Sequence, residues 1–441
     1  MAVSRRTFLG LAAGGAATGA GAWAALLRDG VHDRAGAGPG AATSTTLAAK
    51  GSAARAGRVL VVLQLSGGND GLNTVIPTVG RYHDLRPTLG VADEDLVALK
   101  GTTAYGLHPS LDPLTDLWAA GHLAALQGVG YDPNIRSHFA ALDWWWSATP
   151  GRASATGWLG RWLDATAEGS GPGDPLRAVS IGGGSPALRA QRSLTTSIID
   201  PASFALATPR GADADDLVAA FLRTATAASG GSEADLLARA QAAVGTSVDV
   251  VDRLTEAGIG DASQDRDQAD ERATGTDTDA GEYVAGDVTT GLAAAANLVG
   301  HRLGTQVIVV NAGGFDTHAN QADTHQRLLA DLAGGIASFT DSIAEAGLGD
   351  EVLLVTTSEF GRRAAENGSG TDHGNGGTSF LVGNGVKGQV AGTPDLAHLD
   401  AEGDVAAAID VRSLYATALT WLGGPTEEVL GKAYDTHGLL A

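Results

Sequence analysis

The residues with the most evident chemistry lie in Val355-Thr-Thr-Ser-Glu-Phe-Gly-Arg-Arg363 and the Glu366-Asn-Gly-Ser-Gly-Thr-Asp-His-Gly374 that follows. Three carboxylates, a histidine, paired arginines and four glycines share one connection after an apolar run. A strand that ends in acids and His beside glycine is how an α/β protein presents metal ligands at the carboxyl edge of a sheet. Two other strand ends offer partners for it: Ser66-Gly-Gly-Asn-Asp-Gly71 and Gly313-Gly-Phe-Asp-Thr-His-Ala-Asn320. Asp316 and His318 are two apart, so in extended chain both face the same side and can address one ion. Such Asp/His mixtures suit zinc or manganese. The competing reading of Asp316 is an N-cap for the helix expected at 319–346. Asp70 follows the first apolar run; its loop meets neither the dinucleotide nor the Walker spacing, so it reads as an acid ligand or a turn residue rather than a phosphate cradle.

Asn134-Ile-Arg-Ser-His-Phe139 opens a helical pattern that contains Trp144, Trp145 and Trp146. Ser137 at that helix start is either a cap or a nucleophile activated by the helix dipole and a metal. Arg136 beside it can grip an anionic group, and so can Arg362. Three consecutive Trp span about 200° of a helix, so at least one faces away from the core. His325 falls on the apolar stripe of helix 319–346 and reads as a packed residue behind the site. The chain has no Gly-x-Ser-x-Gly elbow, which argues against an α/β-hydrolase.

These residues need a scaffold, and the chain's 441 residues suffice for a large core. The net charge of −21 makes nucleic acid an unfavourable partner. It does not repel a small anionic ester, because a bound cation reverses the local field. There are no cysteines, which removes disulfides, thiolate sites and cysteine nucleophiles. Ser4-Arg-Arg-Thr-Phe-Leu9 followed by an Ala/Gly-rich run to about Leu27 reads as a twin-arginine export signal. Localisation outside the cytoplasm is therefore expected, with residues 28 to 57 a flexible linker. No other stretch is apolar enough to span a membrane, so no span is expected in the mature chain.

From residue 58 short apolar runs alternate with amphipathic ones. Strands are expected at 58–65, 122–128, about 176–181, 306–310, 351–357 and 378–382. Helices are expected at about 110–120, 137–148, 288–302, 319–346 and 410–422. That alternation predicts a doubly wound, mostly parallel α/β sheet flanked by helices, occupying residues 58–441. A helical insertion is expected at about 212–262, followed by an acidic loop at about 261–287.

Taken together, five blocks carry a resemblance: Leu65-Ser-Gly-Gly-Asn-Asp-Gly-Leu-Asn73; His108-Pro-Ser-Leu111; Gly128-Val-Gly-Tyr131 with Arg136-Ser-His-Phe139; Phe315-Asp-Thr-His-Ala-Asn-Gln321; and Ser358-Glu-Phe-Gly-Arg362 with Asn367 to Gly374. On these the chain resembles the exported bacterial family called domain of unknown function 1501, over nearly the whole mature chain. That family looks like a remote branch of the alkaline phosphatase and sulfatase superfamily, whose members hold two metals at strand ends of a doubly wound sheet. The resemblance implies an alkaline-phosphatase-like fold with Asp70, Asp316, His318, Glu359 and His373 as metal ligands and Ser137 as nucleophile. Phe360 stands where the superfamily's second-metal His belongs, and the Asp-His pair is shortened; these departures from the pattern leave one ion or none as the expectation, rather than two. Two functions follow as expectations. One is an exported metal-dependent hydrolase of phosphate or sulfate esters, acting on a small anionic or sugar ester. The other is a non-catalytic exported protein that binds carbohydrate or a protein partner with a degenerate metal site.

Overall fold

The computed structural model describes residues 57–169, 171, 173–201, 223, 232–260 and 286–441. The expected export signal and linker, most of the acidic loop and much of the helical insertion lie outside the described residues. Within the insertion, a helix is described at Ser232–Glu256.

The central sheet has nine strands: β1 (Val59–Leu65), β2 (Leu123–Gly130), β3 (Ala178–Ile181), β4 (Thr196–Ile198), β5 (Val307–Ala312), β6 (Val352–Thr357), β7 (Gly377–Val382), β8 (Val390–Ala391) and β9 (Ile409–Asp410). Its order is β8-β2-β7-β6-β1-β5-β3-β4, with β9 also paired to β2. All these pairings are parallel except those of β7, which runs antiparallel to β2 and β6. The chain is thus a mixed, mostly parallel sheet flanked by helices. A second sheet of three short strands forms from Val75–Pro77, Tyr105–Leu107 and Val97–Ala98.

Helices cover both faces: α1 (His138–Ser147), α2 (Trp158–Ala165), α3 (Ser232–Glu256), α4 (Val288–Gly300), α5 (Gln321–Glu345) and α6 (Val411–Leu422). Strand geometry sends alternate side chains to opposite faces, and β1 divides its residues accordingly. Val59, Val61, Leu63 and Leu65 join the core under α4 and α5. Leu60 and Val62 join the core that holds Trp145 and Trp146 of α1, Trp158 and Trp162 of α2, and α6. A central strand buried on both sides has no polar face to show, which is why β1 reads as an unbroken apolar run. The expected helix at about 110–120 is instead a 3-10 turn at Pro109–Leu114 followed by one α-helical stretch at Thr115–Ala119. Pro113 removes a backbone donor within the expected helix. Among the described residues no helix is long and apolar enough to cross a membrane.

Candidate metal centre

The carboxyl ends of β1, β5 and β6 lie side by side, and each continues into a segment named above. Because β7 runs antiparallel, its amino end reaches this same edge and delivers the preceding His373. The start of α1, which follows β2, arrives there too. Gly67 and Gly68 turn the chain off β1 with φ of +119° and +86°. A Cβ at Gly67 would come within 2.3 Å of the Asp316 backbone nitrogen, and one at Gly68 within 2.5 Å of the Phe360 ring. Only glycine permits both the backbone conformation and the approach.

Asp316 is the hub. Its Oδ1 lies 3.0 Å from His373 Nε2 and 3.1 Å from His318 Nε2, and its Oδ2 lies 3.5 Å from His138 Nε2. Ligand atoms of His138, Asp316 and His373 all fall within 4.8 Å of one another. His318 Nε2 adds itself 2.9 Å from His373 Nε2.

The other nitrogen of each ring faces an acceptor. His138 Nδ1 meets Glu359 Oε1 at 2.8 Å, His373 Nδ1 meets the Arg136 carbonyl at 3.0 Å, and His318 Nδ1 meets Asp372 Oδ1 at 3.3 Å. Carboxylates and carbonyls only accept, so with Nδ1 donating to the acceptor behind it, each ring turns its Nε2 toward Asp316, where it donates a hydrogen bond when protonated and offers a lone pair to a cation when not. Three lone pairs and a carboxylate facing inward repel one another unless a proton or cation lies among them. Atoms spaced like these approach the arrangement around a tetrahedral ion, whose ligands about 2.0–2.2 Å away lie about 3.3–3.6 Å apart. The donor set therefore fits a divalent cation. Without an ion, hydrogen bonds donated to Asp316 and then to Glu359 push His138 up to about 9. For Asp316, burial pushes upward, but hydrogen bonds with His138, His373 and Arg362 outweigh it and hold the acid far below the usual carboxylate range.

Four expected site residues sit in this cluster or directly behind it: Asp316, His318 and His373 converge, and Glu359 backs His138. Ser137, next to His138 in the chain, is exposed. It occupies the N-cap position of α1, yet its side chain makes no cap hydrogen bond.

The partners of the acids and arginines are as follows. Asp70 lies outside the histidine cluster: it is buried, Arg86 pairs with both its oxygens at 2.6 and 3.2 Å, and Gln321 Nε2 donates to it as well. Its charge is already matched. Burial pushes its pKa upward, but the Arg86 guanidinium beside it wins and holds it below the ordinary value. The oxygens of Glu359 receive Gly67 N, His138 Nδ1 and Gln64 Nε2. Arg362 does not reach out to a substrate anion. Its Nε donates to the Gly68 carbonyl, Nη1 to that of Thr371, and Nη2 to those of Gly67 and Phe315 and to Asp316 Oδ1. The side chain is fully enclosed. Arg136 likewise spends Nε and Nη2 on the buried Asp404.

His138 is the member of this cluster that pattern reading missed. It stands directly after Ser137, and its only signal was its place one residue inside a helix start. Phe360 is buried, with ring centroids 4.9 Å from His138 and 4.5 Å from His373. It forms an apolar wall that cannot ligate. Of the three Trp, Trp145 and Trp146 are core and Trp144 is half-buried, lining a small recess with Ile135, Glu359, Phe360 and Asn375.

Residues 118–438 match the model of a family described as "Protein of unknown function (DUF1501)". The chain belongs to that family. None of the curated proteins matches this DUF1501 chain. Among solved structures it is similar to the PsFucS1 sulfatase from Pseudoalteromonas sp., at 12% identity and a TM-score of 0.38, covering 87% of this chain and 72% of that one. It is also similar to the lipoteichoic acid synthase LtaP from Listeria monocytogenes, at 11% identity and a TM-score of 0.36, covering 87% and 76%. A third is the phosphonate monoester hydrolase SpPMH from Silicibacter pomeroyi, at 10% identity and a TM-score of 0.35, covering 86% and 77%.

Proposed function

We propose that this chain is an exported, metal-dependent hydrolase of phosphate or sulfate esters that uses one divalent ion. The observation that carries the proposal is the convergence of three histidine Nε2 atoms on Asp316, each ring held from behind by an acceptor. His138, Asp316 and His373 would hold the ion, with His318 as the fourth donor. Imidazole with one carboxylate suits zinc or manganese. When bound, such an ion supplies Lewis acidity toward the ester oxygens. Ser137 supplies the attacking hydroxyl oxygen. Its exposure, its unused capping capacity and its position at the positive end of α1 support that role. The twin-arginine motif at Ser4 to Leu9 supports export.

A second reading, a non-catalytic protein that binds carbohydrate or a protein partner, is favoured by the Arg362 guanidinium on Asp316 and by Phe360 packed on two of the histidines. Elemental analysis of protein purified without added metal tests the centre itself. About one zinc or manganese per chain is expected, lost in His373→Ala. Metal-free wild type that takes up neither ion on dialysis would refute both the centre and the hydrolase built on it.

A further inference from the structure

Resting on that metal centre, we infer that Glu359 is the positioning carboxylate that fixes His138 for the ion and is not itself a ligand. Glu359 Oε1 lies 2.8 Å from His138 Nδ1 and accepts Gly67 N at 2.8 Å, while Oε2 accepts Gln64 Nε2 at 3.3 Å. Gln64 is fixed in turn, because its Oε1 accepts the Thr357 hydroxyl at 2.8 Å. Thr357, Gln64 and Glu359 are all buried. The chain of bonds therefore runs from the paired ends of β1 and β6 through one carboxylate to one imidazole.

The three histidines are held unequally. His138 has a buried, charged acceptor with a second anchor on the backbone. His318 has Asp372, which is half exposed and 3.3 Å away, and His373 has a neutral carbonyl. A carboxylate behind a ligating imidazole fixes its tautomer and raises its basicity, and removing such a partner costs about 10–100-fold in metal affinity. The exposed Asp372 competes with water and contributes far less. Glu359 is also the acid that sequence reading placed on the metal, so the two roles give different results.

Zn2+ affinity, measured by competition with a chromophoric chelator, should fall about 10–100-fold in Glu359→Gln and much less in Asp372→Asn. Wild-type affinity in Glu359→Gln, or an equal loss in the two variants, would overturn the inference. Should the glutamine variant not fold, Glu359→Asp keeps the charge but withdraws the oxygen by about one bond, ~1.5 Å, and the same loss is expected. Imidazole nitrogen NMR of the Zn2+-loaded wild type gives an answer without any variant. His138 should show a protonated Nδ1 and a metal-bound Nε2, and a metal-bound Nδ1 would overturn the assignment. Absence of Zn2+ binding by wild type would instead remove the underlying centre, whereas Zn2+ binding undisturbed by the Glu359 variants would remove this inference alone.

Discussion

Ser137→Ala separates a nucleophile from a cap, because the two roles predict opposite balances of stability and rate. A serine working as an N-cap loses about 0.5–2 kcal/mol on replacement by alanine. Ser137 has the N-cap backbone, with φ of −94° and ψ of 120°, but no side-chain bond to the helix, and it is exposed. Nothing is left unsatisfied by removing its hydroxyl, so the change should stay within about 0.5 kcal/mol, as for surface substitutions away from such features. Loss of an attacking oxygen, in contrast, should lower hydrolysis by a factor of about 10³ or more, which corresponds to about 4 kcal/mol of barrier. Urea denaturation midpoints and release of 4-nitrophenol from its phosphate and sulfate esters, both with Zn2+ or Mn2+ present, measure the two quantities on one preparation. A stability loss above about 1 kcal/mol with wild-type hydrolysis would make Ser137 a cap. Hydrolysis unchanged in the variant would refute the nucleophile whatever the stability.

Three further outcomes are expected. Burial pulls His325 down to about 4 from its ordinary 6.5, so the unfolded chain takes up the proton first as pH falls and stability should drop by up to about 3 kcal/mol between pH 6.5 and 4. His325→Gln should remove that part of the slope, and an identical slope in wild type and variant would contradict the assignment. Asp70→Asn strands the buried Arg86 charge and should cost about 3–5 kcal/mol while leaving metal content unchanged; loss of the ion from folded Asp70→Asn would return Asp70 to the site. Phe360→His puts a polar ring into an enclosed apolar position and should destabilise by about 1–3 kcal/mol without adding a second ion, which elemental analysis would reveal.

Much of the sheet was legible because its strands are apolar on both faces. The expected runs at 58–65, 306–310, 351–357 and 378–382 lie within two residues of the strands formed. Direction was not legible. The sequence of β7 is buried like that of its neighbours, and nothing local says that it runs antiparallel. The short β4 and the helix α2 were missed, the latter because Gly160 sits in its middle, packed against the Arg189 carbonyl. Within the site, residue type pointed to the right edge of the sheet but not to the partners. Asp70 and Asp316 both follow strands and glycines and both meet an arginine; only tertiary position separates them, since Asp70 is buried with Arg86 on both oxygens, whereas Asp316 is half exposed and also faces three histidines. The same holds for Arg362: paired arginines after a strand suggest an anion grip, whereas four backbone carbonyls gathered from distant loops claim this one.

That gathering sets an order of events. Arg362 joins carbonyls up to 295 residues away in sequence, and the carbonyl that orients His373 belongs to a residue 237 positions earlier. Contacts of such separation form late, after loop-closure entropy has been overcome. During synthesis, helix α1 and the ends of β1 and β5 emerge long before the histidine that completes the cluster. A ribosome-bound chain lacking residues past Gly370 has no His373 to offer, so an ion held by the complete proposed cluster would not template the early stages of folding. In the proposed one-ion centre the full donor set exists only once the connection between β6 and β7 has been made, so metal retention would report that this late connection has folded.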